Sequence, residues 1–130
     1  MNHGKHRVCI EACQACVTAC EQCASACLRE EEVKMMRRGI ELDRSCAYIC
    51  EFAAHEMARE SPFAEKACRL CAEICEACAM ECGKHPHEHC QACAEACRRC
   101  AEACRAMASG EAAALGRSER GGETDRPLRR

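Results

Sequence analysis

The residues of this 130-residue chain that could do chemistry are its eighteen cysteines, and they are regularly spaced. Cys9, Cys13, Cys16, Cys20, Cys23 and Cys27 follow one another with gaps of 4, 3, 4, 3 and 4. A helix turns about 100° per residue, so with Cys9 at zero the other five fall within roughly 40° of it. The six thiols would then share one stripe about 27 Å long. Cys68, Cys71, Cys75, Cys78 and Cys82 repeat the rhythm, as do Cys90, Cys93, Cys97, Cys100 and Cys104, and Cys46 with Cys50 forms a shorter row. Alternating 3–4 spacing marks the apolar seam of a helical bundle, and here sulfur stands where leucine normally does.

Buried cysteine can act as a small hydrophobe, but eighteen in one register would leave a core without large apolar side chains. Disulfides between neighbours on one helix fit poorly, because such side chains project side by side. Soft thiolates select Cu(I), zinc and iron–sulfur clusters. Zinc prefers four ligands in a tetrahedron, whereas three rows of five or six thiols and one of two imply about three sulfurs per layer. A zinc ion with four thiolates also carries two negative charges, and buried net charge is costly. One Cu(I) per thiolate leaves the interior neutral, with bridging sulfurs giving each ion at least two ligands. An iron–sulfur cluster needs four cysteines around a compact core, and a linear stripe has the wrong shape. Cu(I) in quantity is the best match. A thiol redox or oxidant-buffering protein and a zinc or mixed-metal reservoir are the alternatives.

The elements that must position these thiols are four helices. The first is expected over residues 6–30, ending at a charged corner. The second is expected over residues 33–60, with Met36, Gly39, Asp43, Cys46, Cys50, Ala53 and Met57 on its inner stripe and Leu42, Ile49 and Phe52 as a second apolar row for packing. Ser61 as N-cap, Pro62 at the first helical position and Glu65 in the first turn open the third, and Gly83 closes it. The fourth carries Cys90 through Cys104. Residues 13–27 and 90–104 are identical at ten of fifteen positions, and residues 68–82 share their cysteine frame. Short connections between such repeats imply an all-α, antiparallel up-down-up-down four-helix bundle with a cysteine-lined core over residues 1–108. Residues 109–130, with scattered glycine and charge, are expected to be a disordered or weakly ordered tail.

Composition narrows the function. The formal net charge of −2 suggests neither a nucleic-acid partner nor a membrane surface. No apolar run approaches the ~20 residues of a membrane span. Met1 to Val8 contains no apolar leader segment, which points to a cytoplasmic protein with reduced thiols. No Ser–His–Asp arrangement, phosphate loop or paired-carboxylate motif stands out, so no enzymatic activity is expected.

Weaker, exchangeable ligands sit at the ends of the stripes. Stepping three residues outward from Cys9 and Cys104 reaches His6 and Met107, at the same end as Met57 and His55. The opposite end gathers Met35, Met36, Asp43, His85, His87 and His89. Relative to Cys90, His89 falls about 20° and His87 about 60° outside the cysteine stripe, on opposite sides.

Taken together, the cysteine frame, Met35-Met36 through Leu42-Asp43-Arg44 to Cys46 and Cys50, Ser61-Pro62-Phe63, and His87-Glu88-His89-Cys90 resemble the bacterial copper storage proteins of the cytosolic type. The resemblance covers about residues 5–108. It implies a lumen of thiolates holding many Cu(I) ions per chain, with all eighteen cysteines as storage ligands. It also implies a homotetramer, and a mouth at Met36, His87 and His89 through which copper arrives. Copper chaperones or cuproenzymes are the macromolecular partners such a role would bring. The tail has no counterpart role in that family.

Overall fold

The 3–4 rhythm produces helices wherever it runs. The computed structural model describes the backbone of residues 3–116 and the side chains of residues 6–108. Helix α1 spans His3–Leu28, α2 Arg37–Ala58, α3 Ala64–Cys82 and α4 Glu88–Gly116. Among the described residues each helix packs on two neighbours, in the cyclic order α1, α2, α3, α4 and back to α1. The result is the expected all-α bundle, and its antiparallel sense shows in the sulfurs. Cys9 pairs with Cys104 at 3.5 Å and Cys27 with Cys90 at 3.9 Å, at opposite ends of α1 and α4.

Small side chains let the helices approach. Ala47, Ala53, Ala54, Ala67, Ala72, Ala94 and Ala101 are buried between the cysteine rows. Leu42 and Ile49 pack against this core, whereas Phe52 of the same row is largely exposed. Arg105 on α4 grips Glu76 on α3 through two hydrogen bonds of 2.6 and 2.8 Å. Such a bidentate pair fixes geometry more than it adds stability at an exposed site.

The element ends differ from expectation in five places. Helix α1 stops at Leu28, and residues 29–32 make the corner, with Arg29 and Glu30 donating backbone N–H groups to Ala26 and Cys27. The second helical segment begins as a short 3-10 turn, Val33–Met36, before α2 proper. Met36 faces the core, as its place on the inner stripe predicts, and Met35 is exposed. Ser61 accepts from the Phe63 N–H at 3.0 Å but is not the N-cap: α3 starts at Ala64, two residues after Pro62, with Phe63 as its N-cap and no side-chain capping bond. Gly83 ends α3 with φ −64°, a right-handed conformation, so no positive φ calls for glycine there. Helix α4 continues past Ala108 to Gly116 through an alanine-rich stretch with high helix propensity. Residues 117–130 lie outside the described residues. No described helix is long and apolar enough to cross a membrane.

Candidate metal centre

Every one of the eighteen cysteines is buried, none more than 2% exposed, and all are free thiols. Helical register alone explains this: the stripes of four helices meet along the bundle axis. Cys46 shows how tightly. Its Sγ lies 3.6 Å from Cys16 on α1, 3.4 Å from Cys75 on α3 and 3.8 Å from Cys97 on α4. Cys50, one turn on, reaches Cys71 at 3.6 Å and Cys100 at 3.7 Å. These separations exceed a disulfide bond of about 2.05 Å and suit a soft ion bridging two sulfurs.

The stagger of neighbouring layers gathers sulfurs from three helices into sets of four. Cys13, Cys71, Cys100 and Cys104 have ligand atoms within 4.8 Å of one another, as do Cys16, Cys46, Cys50 and Cys75, and Cys20, Cys78, Cys93 and Cys97. A further set, Cys16, Cys20, Cys46 and Cys97, shares members with two of these. The sulfurs therefore form one connected column. Zinc in the three separate tetrads would place two negative charges at each, deep in the interior. Monovalent ions bridged along the column, one per thiolate, balance the charge as they fill it.

Asp43 is the buried group whose importance the register understated. It lies inside the column, not at its rim, and is fully buried. Cys78, Cys82 and Cys93 donate to its Oδ1 at 3.2, 3.3 and 3.2 Å, while Oδ2 is buried without a hydrogen-bond partner. Burial, reinforced by the neighbouring Cys93, pushes the Asp43 carboxyl up to about 7. Its place on the α2 stripe was readable. That three thiols from α3 and α4 converge on it depended on the assembled bundle.

One end of the column is lined by Cys23, Cys27, Cys90 and His89, whose ligand atoms also lie within 4.8 Å of one another. His89 Nδ1 is 3.6 Å from the sulfurs of Cys23 and Cys90 and 3.9 Å from that of Cys27. The His87 ring lies beside that of His89, with centroids 5.4 Å apart. Met36 is buried. His85 instead turns to Glu81, at 3.4 Å, and Met35 points outward. Burial, the dominant cause, pushes the Cys90 thiol up to about 12 and raises Cys27 in the same direction. At the other end Met57, Met107 and His6 are buried, while His55 faces out toward Glu51. Glu30 was not foreseen as part of the mouth; its carboxylate lies 2.9 Å from His89.

Known proteins share this architecture. The sequence model described as copper storage protein matches residues 2–109. An uncharacterised cysteine-rich protein of Bacillus subtilis is 54% identical over 101 residues, covering 78% of this chain and 94% of its own. A Cu(I)-bound copper storage protein, BsCsp3, superposes with a TM-score of 0.77 at 53% identity, over 80% of this chain and 98% of that one. A cytosolic copper storage protein from Streptomyces lividans, in a structure of copper loading with five coppers, gives a TM-score of 0.80 at 38% identity, over 82% and 94% of the two chains. With the buried thiol column and these likenesses together, the chain belongs to the copper storage protein family.

Proposed function

We propose that this protein is a passive store for Cu(I), holding on the order of one ion per thiolate and thereby limiting copper toxicity or keeping a supply. The observation that carries the reading is the column of buried thiols, gathered in sets of four whose ligand atoms lie within 4.8 Å of one another. No reaction is required of it. The Streptomyces relative is also described with ten copper equivalents, which supports a multi-ion cargo here. That relative's description as cytosolic supports a cytoplasmic location for this chain, where reduced thiols persist.

Copper would arrive at the end holding Met36, His87 and His89. Imidazole and thioether bind Cu(I) more weakly than thiolate and release it inward, to Cys23, Cys27 and Cys90. Assembly into a homotetramer would bury exposed apolar side chains such as Tyr48, Phe52 and Leu70. Copper chaperones or cuproenzymes would be the donors or recipients.

The three separate cysteine tetrads, with the set of Cys23, Cys27, Cys90 and His89, favour a second reading, a zinc reservoir of about four ions. Competition decides. Reduced protein preloaded with Zn²⁺ and titrated with Cu(I) should release all of its zinc. Retention of zinc under excess Cu(I) would favour the reservoir. Counting free thiols in freshly isolated, denatured protein tests the redox alternative; a count far below eighteen would support oxidant buffering.

A further inference from the structure

One carboxylate at the mouth faces both of its imidazoles. Glu30 lies two residues beyond the end of α1. Its Oε2 is 2.9 Å from Nε2 of His89, and its Oε1 is 3.4 Å from Nε2 of His87. A carboxylate is an anion at neutral pH and can only accept. The ring nitrogen facing it must therefore carry the proton. In a neutral imidazole this leaves Nδ1 as the nitrogen with the lone pair. Nδ1 is the atom that His89 directs at the sulfurs of Cys23, Cys27 and Cys90. His87 is set the same way: Nε2 faces Glu30 and, at 3.5 Å, Glu32, while Nδ1 is buried with no hydrogen-bond partner.

We infer that Glu30 is a positioning residue for copper uptake, holding His89 by its Nε2–H group so that its Nδ1 lone pair faces the incoming Cu(I), with the His87 ring alongside. The inference rests on the uptake route proposed above. A carboxylate behind a histidine fixes its tautomer and ring orientation and makes the ligating nitrogen a better donor. Left free, the ring would exchange tautomers and rotate, and only part of the population would present Nδ1 to the column. Glu32 reaches His87 alone, so it cannot replace Glu30 behind His89. The side chain sits outside the sulfur column, so it governs how copper arrives more than how much is held.

Nitrogen-15 NMR of the metal-free, full-length protein reads the tautomer, and stopped-flow mixing with Cu(I) reads the rate of uptake. The parent should show His89 as a single Nε2–H tautomer. Glu30→Ala should give a tautomer mixture and slow uptake about tenfold, the low end of the loss typical when a ligand's supporting carboxylate is removed. Glu30→Asp should recover part of both effects. Glu30→Gln keeps the side chain's size, so slow uptake there cannot come from a collapsed corner. An unchanged His89 tautomer in Glu30→Ala, or a changed tautomer with parental uptake, overturns the inference. His89→Ala separates the two readings. If it is slow while Glu30→Ala is fast, only the role of Glu30 fails; if His89→Ala itself takes up copper at the parental rate, the route fails and the inference with it.

Discussion

The Sγ atoms of Cys46 and Cys75 lie 3.4 Å apart across the α2–α3 interface, and the same Cys46 sulfur reaches α1 and α4 through Cys16 and Cys97. A single thiol on the helix poorest in cysteine thus joins the rows of the other three. This is why two cysteines on α2 suffice to make the column continuous.

Replacing Cys46 tests that junction. Cys46→Ala removes one fully buried atom and leaves a small void, costing about 1 kcal/mol in the metal-free protein. Cys46→Ser buries a hydroxyl among sulfurs and should cost more, about 1–3 kcal/mol. Urea denaturation measures both. Each variant should also bind fewer Cu(I) ions than the parent in an anaerobic titration.

The pH dependence follows from the raised thiols and the raised Asp43 carboxyl. Burial takes Cys90 from 9.0 to about 12 and raises Cys27 likewise. A thiol whose folded value lies above its unfolded value contributes stability that is fully present below about pH 9 and is lost as pH climbs toward 12. Metal-free protein should therefore lose stability first as pH rises from about 4 through 7, where buried Asp43 ionises, and again beyond about pH 9, where the raised thiols do. For the same reason Cu(I) meets protonated thiols near Cys90 at neutral pH. Loading in weakly buffered solution should release about one proton per ion bound, readable by pH-stat.

Ser61→Ala addresses the fold without touching the thiols. The hydroxyl accepts from the Phe63 N–H at 3.0 Å and donates to Glu56 Oε1 at 2.5 Å. Glu56 also holds Arg59 through both carboxylate oxygens. Losing the hydroxyl should cost about 1–2 kcal/mol, seen as a lower thermal midpoint, with copper capacity unaltered.

Copper itself should stabilise the bundle strongly. The core is cysteine and alanine with nothing larger than methionine, so the metal-free protein has modest apolar burial to rely on. Each independent ion at a hundredfold excess over its dissociation constant adds about 2.7 kcal/mol. The thermal midpoint should rise steadily with each equivalent of Cu(I), measured by calorimetry under nitrogen.

Most of the bundle was legible because helical periodicity is a local property. The gaps of 3 and 4 place every cysteine from Cys9 to Cys104 on an inner face, whatever the helices pack against. The misses are of another kind. Winding Val33–Met36 as a 3-10 turn leaves no clear mark in composition, although the 3–4 register alone places Met36 on the inner face. Pro62 signals a helix start, but Ser61 and Glu56 hold the preceding turn open, and α3 begins at Ala64. The thiols around Asp43 come from α3 and α4, and Glu30 stands 59 residues from His89. No repeat links such positions; only the assembled helices bring them together.

The most direct test is stoichiometry. Fully reduced protein, titrated anaerobically with Cu(I) against a competing chelator, should bind on the order of one ion per thiolate, approaching the number of its eighteen cysteines. Saturation at about four ions per chain, one for each tetrahedral set of ligands, would contradict the charge-balanced copper column.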